Sequence, residues 1–225
     1  EEIGGCPWDR PETRATKYTT RLIRIIARLH PWIGRNTNME QQGARHILPP
    51  TWSLTITILE IPKDYTTLNH KALLHTINTS NSIIAYTDGS LLDNRAGAGV
   101  YIYGCKLNIR QAALIGQQCE VFDAELSAMH IALTRILKAV TNNSASKRTC
   151  SIWLFSDSQA AIQRLQHNRP GPGHELASEI HHTITMLHSH FRIRTHIQWV
   201  PGHTEVNGNE IADQLAKAGS ILKQQ

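Results

Sequence analysis

The sequence predicts an α/β fold: a mixed five-stranded sheet with helices packed on it, in the order βββαβααβα. Three observations predict it. Short apolar runs at 83–86, 97–103 and 108–115 lie close enough together to form an antiparallel meander. A long amphipathic stretch follows at 122–140, with Leu126, Met129, Leu133, Ile136, Leu137 and Val140 on one stripe. A second buried-type strand at 151–155 then resumes the sheet, as a crossover helix between parallel strands would require.

The remaining elements follow in order. Ile83-Ile84-Ala85-Tyr86 is a strand closed by Thr87-Asp88-Gly89-Ser90, which reads as a turn. Residues 142–147 are polar and loop-like. After Ser156-Asp157-Ser158 a helix of about ten residues begins at Gln159, with Ala161, Ile162 and Leu165 inward, and stops before Pro170-Gly171-Pro172-Gly173. Residues 175–190 form a further helix, 192–200 a strand and 201–209 a glycine-containing loop. A last helix spans about 210–218 and is closed by Gly219.

Residues 1–80 differ in texture. One amphipathic pattern covers about 18–30, with Leu22, Ile25, Ile26 and Leu29 on one face and Arg21, Arg24 and Arg28 on another. Pro31, Pro49-Pro50, a Thr/Ile alternation at 51–61 and Pro62 then read as a linker with short elements.

Composition excludes several classes. The 225 residues are 40% hydrophobic and 18% charged, with 14 Gly and 9 Pro, which argues against collagen-like, coiled-coil and wholly disordered chains. No apolar run approaches the roughly 20 residues of a membrane span. The formal net charge of +5, with 13 His besides, suits a polyanionic partner. Cys6, Cys105, Cys119 and Cys150 form no Cys-x-x-Cys pair and read as reduced thiols of an intracellular protein. The first residue is Glu1, with no secretory signal after it, so the chain reads as a piece of something longer or a processed product, and not as a secreted protein.

Two strands separated by the long helix each end at a carboxylate flanked by small residues, Asp88 and Asp157. If these strands are parallel neighbours, both acids emerge at the same rim of the sheet, where open α/β sheets place ligands. Glu125 is expected in the first turn of the crossover helix and Asp213 in the first turn of the closing helix. Four acids converging on one spot repel one another unless a cation joins them. Oxygen-only ligands select a hard ion, Mg²⁺ or Mn²⁺. Two such ions about 4 Å apart can polarise a phosphodiester and generate a hydroxide. Turn and cap chemistry also favours acids at such positions, so the pattern alone leaves both readings open.

At these residues the sequence resembles the type 1 ribonuclease H family. Tyr-Thr-Asp-Gly-Ser at 86–90 is similar to the family's first-strand motif, and Ala-Gly-Ala-Gly-Val at 96–100 to its second strand. Asp-Ala-Glu-Leu at 123–126 resembles the opening of its first helix, and Ser-Asp-Ser-Gln at 156–159 its third motif. Trp-Val-Pro-Gly-His at 199–203, with the run at 207–216, is similar to its C-terminal signature. The blocks come in family order over about 82–219, and Pro-Gly-His-Thr and Asp-Ala-Glu-Leu resemble most the ribonuclease H domains of fungal retrotransposons lacking long terminal repeats.

The resemblance implies a ribonuclease H-like fold, with residues 81–222 as the ribonuclease H domain and 1–80 as the tail of a covalently preceding reverse transcriptase region. It implies that Asp88, Glu125, Asp157 and Asp213 bind two Mg²⁺ ions, with Mn²⁺ as substitute. It also implies cleavage of the RNA strand of an RNA–DNA hybrid, leaving a 3′-hydroxyl and a 5′-phosphate. His203 matches the mobile-loop histidine that assists proton transfer or product release; an ordinary loop histidine is the alternative. Gly89 and Gly97 allow close backbone approach and could read a 2′-hydroxyl. Ser90 and Asn209 position either the substrate backbone or their own turns. Residues 168–190, where cellular members often carry a basic insert, hold Arg169 as the one Lys or Arg. Weak hybrid binding by the isolated domain is therefore expected, rescued by a tethered polymerase or by the Arg21/Arg24/Arg28 helix. His174, His181, His182, His188 and His190 there read as a polar helix face. Two other functions share the fold: a catalytically silent scaffold, which would not need all four acids and His203, and a DNA-cutting nuclease, whose three-acid pattern fits less well.

Overall fold

The computed structural model describes residues 56–58, 66–142, 145, 149–167 and 170–222, all within one compact unit, Pro50–Gln225. The helix expected at 18–30 with its arginines, Cys6 and Arg169 lie outside the described residues.

The elements are β1 (Ile56–Ile58), α1 (Thr67–Thr76), β2 (Ser82–Leu92), β3 (Arg95–Gly104), β4 (Leu107–Gln117), α2 (Val121–Thr141), β5 (Ser151–Ser156), α3 (Gln159–Gln166), α4 (His174–Phe191), β6 (Arg194–Trp199) and α5 (Asn207–Ile221). The expected βββαβααβα core is present, and the fold class is the one expected. Two elements precede it. The sheet has six strands, in the order β1-β6-β5-β2-β3-β4, because Ile56–Ile58 pairs in parallel with β6. Three residues of Thr/Ile alternation carry too little periodicity to be told from a linker; an exposed edge is what makes them a strand.

The meander forms as expected. β2–β3 and β3–β4 are antiparallel, joined by two-residue turns whose residues Asp93, Asn94, Cys105 and Lys106 all have positive φ. That backbone matches the right-handed twist of the flanking strands. β5 and β6 add in parallel beside β2.

The two faces of the sheet follow strand alternation. Ile83, Ala85, Ala98, Val100, Ile102, Ile152 and Leu154 face the core shared with Leu126, Met129, Leu133 and Ile136 of α2 and with Ile180 and Ile184 of α4. Ile84, Tyr86 and Phe155 face the other way, with Val206 and Ala212, and α1 contributes Leu73 and Leu74 there.

α5 presents alanines to the sheet: Ala212 and Ala216 are fully buried, whereas Ile211 and Leu215 are only half-buried. The stripe is small because the helix rests on glycines. A Cβ at Gly99 would lie 1.9 Å from the Ala212 carbonyl, and one at Gly97 would lie 2.2 Å from the Ala216 carbonyl. Gly97, expected to approach substrate, is instead buried beneath α5. Gly97→Ala should lower stability by ~3 kcal/mol, since backbone and not a flexible side chain blocks the added methyl. Urea unfolding checks this; a midpoint equal to that of the parent chain would show that α5 does not rest on this glycine.

Candidate active site

Asp88 does not sit in a turn. β2 runs through it to Leu92, and Asp88 pairs with Gly99 across the antiparallel ladder. What ends there is the parallel pairing with β5, whose last register is Thr87 with Ser156. Asp88 and Asp157 are therefore the next residues of two parallel strands as they part. The sequence locates this rim correctly, but for a different local reason from the one expected.

Glu125 is the fifth residue of α2, one residue further along the helix than expected, because the helix starts at Val121. Gly89 sets its height: a Cβ on Gly89 would lie 2.5 Å from the Glu125 backbone nitrogen. The Gly89 N–H also donates to the Glu125 carboxylate. The part of Gly89 is thus to seat the helix and hold its acid.

Carboxylate oxygens of Asp88, Glu125 and Asp157 lie within 4.8 Å of one another. Asp88 and Glu125 are each 6% exposed, and the Glu125 Oε2 atom is buried with no hydrogen-bond partner. Burial first, and then the charges of Asp157 and Asp213, push the Asp88 carboxyl up to about 8. Burial, followed by Asp88 and Asp157, pushes Glu125 up to about 9. Asp157 is steadied from two sides: Asn209, 2% exposed, donates from Nδ2 to its Oδ2 at 3.1 Å, and Trp199 donates from Nε1 to its backbone carbonyl at 2.9 Å. Asn209 thus supports an acid from the first turn of α5. Ser90 is half-buried within β2, opposite Gly97.

Asp213 belongs to the same neighbourhood, since its charge raises Asp88, but its closest partners are others. It lies in the second turn of α5 because that helix starts at Asn207. Lys217 Nζ donates to its Oδ2 at 2.7 Å. Together with exposed His203 and half-buried Glu210, Asp213 forms a second group with ligand atoms within 4.8 Å of one another. The four expected acids are therefore two buried carboxylates and a half-buried one in close contact, and a fourth at the border of a more solvated group. Glu210 was not anticipated, although its spacing of three residues before Asp213 places both on one helical face. Gly202 was missed as well: a Cβ there would lie 2.5 Å from Asp157 Oδ2, and Pro-Gly-His carries no signal for that contact.

The residues fit a hard divalent cation. The trio supplies only oxygen, one of its oxygens is buried without a partner, and two of its acids are driven towards neutrality. Among the described residues the groups able to hold a metal are these two; the histidines of α4 form none. His181 of that helix is buried, its Nε2 within 3.0 Å of the Leu165 carbonyl.

The raised acids make metal-free stability depend on pH. The folded chain holds protons on Asp88 and Glu125 that the unfolded chain has lost above about pH 5. Their contribution is complete below the ordinary carboxylate values, falls as pH rises and is gone above about 8 for Asp88 and about 9 for Glu125. In EDTA the melting temperature should therefore fall between about pH 6 and about pH 9, Glu125→Gln should flatten the decline, and Mg²⁺ should stabilise more as pH rises. Calorimetry checks this; a decline that Glu125→Gln leaves intact would assign it to other groups.

The family model for RNase H matches residues 80–221. No curated protein matches the chain. Similar solved structures include RNase H1 of the halophilic archaeon Halobacterium salinarum, at 23% identity and a TM-score of 0.44, covering 61% of this chain and 96% of that one. An RNase H1 isolated from compost by a metagenomic approach is 25% identical, with a TM-score of 0.47, covering 62% of this chain and 96% of that one. The protease–reverse transcriptase of prototype foamy virus is 21% identical, with a TM-score of 0.49, over 63% of this chain and 21% of that one. A family match spanning well over half the residues, and containing every acid of the rim, settles the point: the chain belongs to the RNase H family and is a ribonuclease H.

Proposed function

We propose that the chain hydrolyses the RNA strand of RNA–DNA hybrids with two Mg²⁺ ions, leaving a 3′-hydroxyl and a 5′-phosphate. The observation that carries this reading is the trio of buried Asp88 and Glu125 with half-buried Asp157, with oxygens within 4.8 Å and an unpartnered Glu125 Oε2. Such a cluster is costly as bare charge and apt as a cation cradle. Asp88, Glu125, Asp157 and Asp213 would hold the ions; Mn²⁺ is the other hard cation this donor set accepts. Bound there, the ions supply Lewis acidity and a nucleophilic hydroxide at neutral pH.

The side chains around the trio have separable parts. Asn209 and Gly202 fix the direction of Asp157. The Gly89 N–H fixes Glu125. Lys217 holds Asp213 and neutralises it on the solvent side. His203 is exposed on the loop facing Asp213 and Glu210, where an imidazole can give a proton to the departing 3′-oxygen. Ser90 remains the candidate for a contact to the substrate backbone, which gives register without sequence preference.

The wording of the 123–126 and 201–204 motifs supports a retrotransposon parent, with a reverse transcriptase region preceding this domain. No helix among the described residues is long and apolar enough to cross a membrane.

The test is direct. With Mg²⁺ and labelled RNA–DNA hybrid, double-stranded RNA, duplex DNA and single strands, only the hybrid should be cut, and EDTA should stop the reaction. Asp157→Asn should lower kcat by about a thousandfold or more, and His203→Ala by about tenfold to a hundredfold. Hybrid bound but never cut would indicate a silent scaffold, and nicked duplex DNA would indicate a different nuclease.

A further inference from the structure

The loop that carries His203 is held in an unfavourable backbone. Between β6 and α5, His203 has φ 52° and Glu205 has φ 60°, left-handed values that non-glycine residues rarely adopt. Two such residues in so short a segment persist only where contacts over-determine them. Gly202 packs on the Asp157 carboxylate. Thr204 Oγ1 donates to the Pro201 carbonyl at 3.0 Å and closes the loop on itself. A third contact comes from elsewhere: Thr67 Oγ1 donates to the Thr204 carbonyl at 2.8 Å, across 137 residues of chain.

Thr67 is the first residue of α1, and that helix is firmly seated. His70 is 1% exposed, its Nε2 lies 2.7 Å from the Tyr86 hydroxyl, and its ring meets Phe155 edge-on at 4.7 Å. Ile77, just beyond the helix, shares an apolar cluster with Tyr86, Phe155, Val200 and Val206, and Leu73 and Leu74 pack against it. Val200 and Val206 are the residues that flank the His203 loop. The helix and both ends of the loop thus rest on one core, and the Thr67 hydroxyl ties the helix to the loop's middle.

From this geometry we infer that α1, which lies outside the residues matched by the family, is a brace for the His203 loop, and that Thr67 is a positioning residue acting through Thr204 on His203. The kinetic part of the inference rests on the proton-donating role proposed above for His203; the structural part does not. The ribonuclease H unit of this chain accordingly begins before residue 67, and the boundary expected at residue 80 would remove its brace.

The experiment uses the full chain with Thr67→Val, which removes the hydroxyl and keeps the branched shape, and Thr67→Ser, which keeps the hydroxyl. Hydrogen exchange at the amides of residues 203–206 should quicken about three- to tenfold in Thr67→Val, as expected for loss of one tether, and return with Thr67→Ser. On the hybrid substrate kcat should fall by a similar factor, with KM unchanged and with no further loss when Thr67→Val is added to His203→Ala. Unchanged exchange in Thr67→Val, or an equal kcat loss in the His203→Ala background, overturns the brace. Quickened exchange beside a fully active His203→Ala variant overturns the role given to His203 and leaves the brace standing.

Discussion

Carboxylates meeting out of water are the constraint around which this molecule is built. At the point where β2 and β5 part, Asp88 and Asp157 face one another, and Glu125 comes down from α2 to complete the group. For Asp88 and Glu125, burial outweighs mutual repulsion in driving the acids towards neutrality. Both effects act in the same direction, and the Lys217 charge on Asp88 and the Gly89 N–H on Glu125 oppose them only in part. Lys217 is the one ammonium bonded to any of these acids among the described residues, and it is spent on Asp213 at the solvated border. The trio is left for a cation from solution.

Holding those acids in place demands backbones closer than any side chain would permit. Gly89 lets α2 descend until Glu125 reaches the rim, and Gly97 and Gly99 let α5 lie directly on β3. Gly208 receives the Tyr86 ring, against which a Cβ would come within 2.2 Å, and Gly202 leaves room for the Asp157 carboxylate. The alanines at 212 and 216 are the other half of this arrangement, since larger residues would lift α5 and with it Asp213 and Glu210. The glycines near the site are thus fold determinants through which the geometry of the acids is set, and Gly97 in particular seats α5.

What could be read from residues and what could not divides along physical lines. Long periodic segments such as 122–140, and the ordered motifs around Asp88, Glu125, Asp157 and Asp213, are strong because each repeats one simple requirement many times or ties one residue type to one chemistry. The state of Asp88 was misjudged because Thr-Asp-Gly-Ser satisfies turn chemistry locally, while β3 supplies a ladder partner that only tertiary structure reveals. The helices start about three residues earlier than expected at α5 and one at α2, which moves Glu125 and Asp213 from the first turn into the second. β1 and α1 were illegible for a different reason. Neither has a marked pattern of its own, and both exist because the sheet offers an open edge and an open aromatic face. Glu210 was within reach, since it shares a helical face with Asp213.

The border of the site differs in kind from its centre. Asp88 and Glu125 are almost wholly buried, and Asp157 is pinned by Asn209 and Gly202, so these groups have little freedom to rearrange. Asp213, Glu210 and His203 are half-buried or exposed, and His203 rides on a loop whose backbone is held against its preference. Charged groups in the second set are stabilised by water as well as by one another, so they can change partner at small cost. Under the proposed function, a site of this kind separates holding from exchange: the rigid side would fix where a phosphodiester is attacked, and the solvated side would handle protons and departing groups. The tether from Thr67 belongs to that second side, where it joins the Thr204–Pro201 hydrogen bond and the Gly202–Asp157 contact in holding the loop.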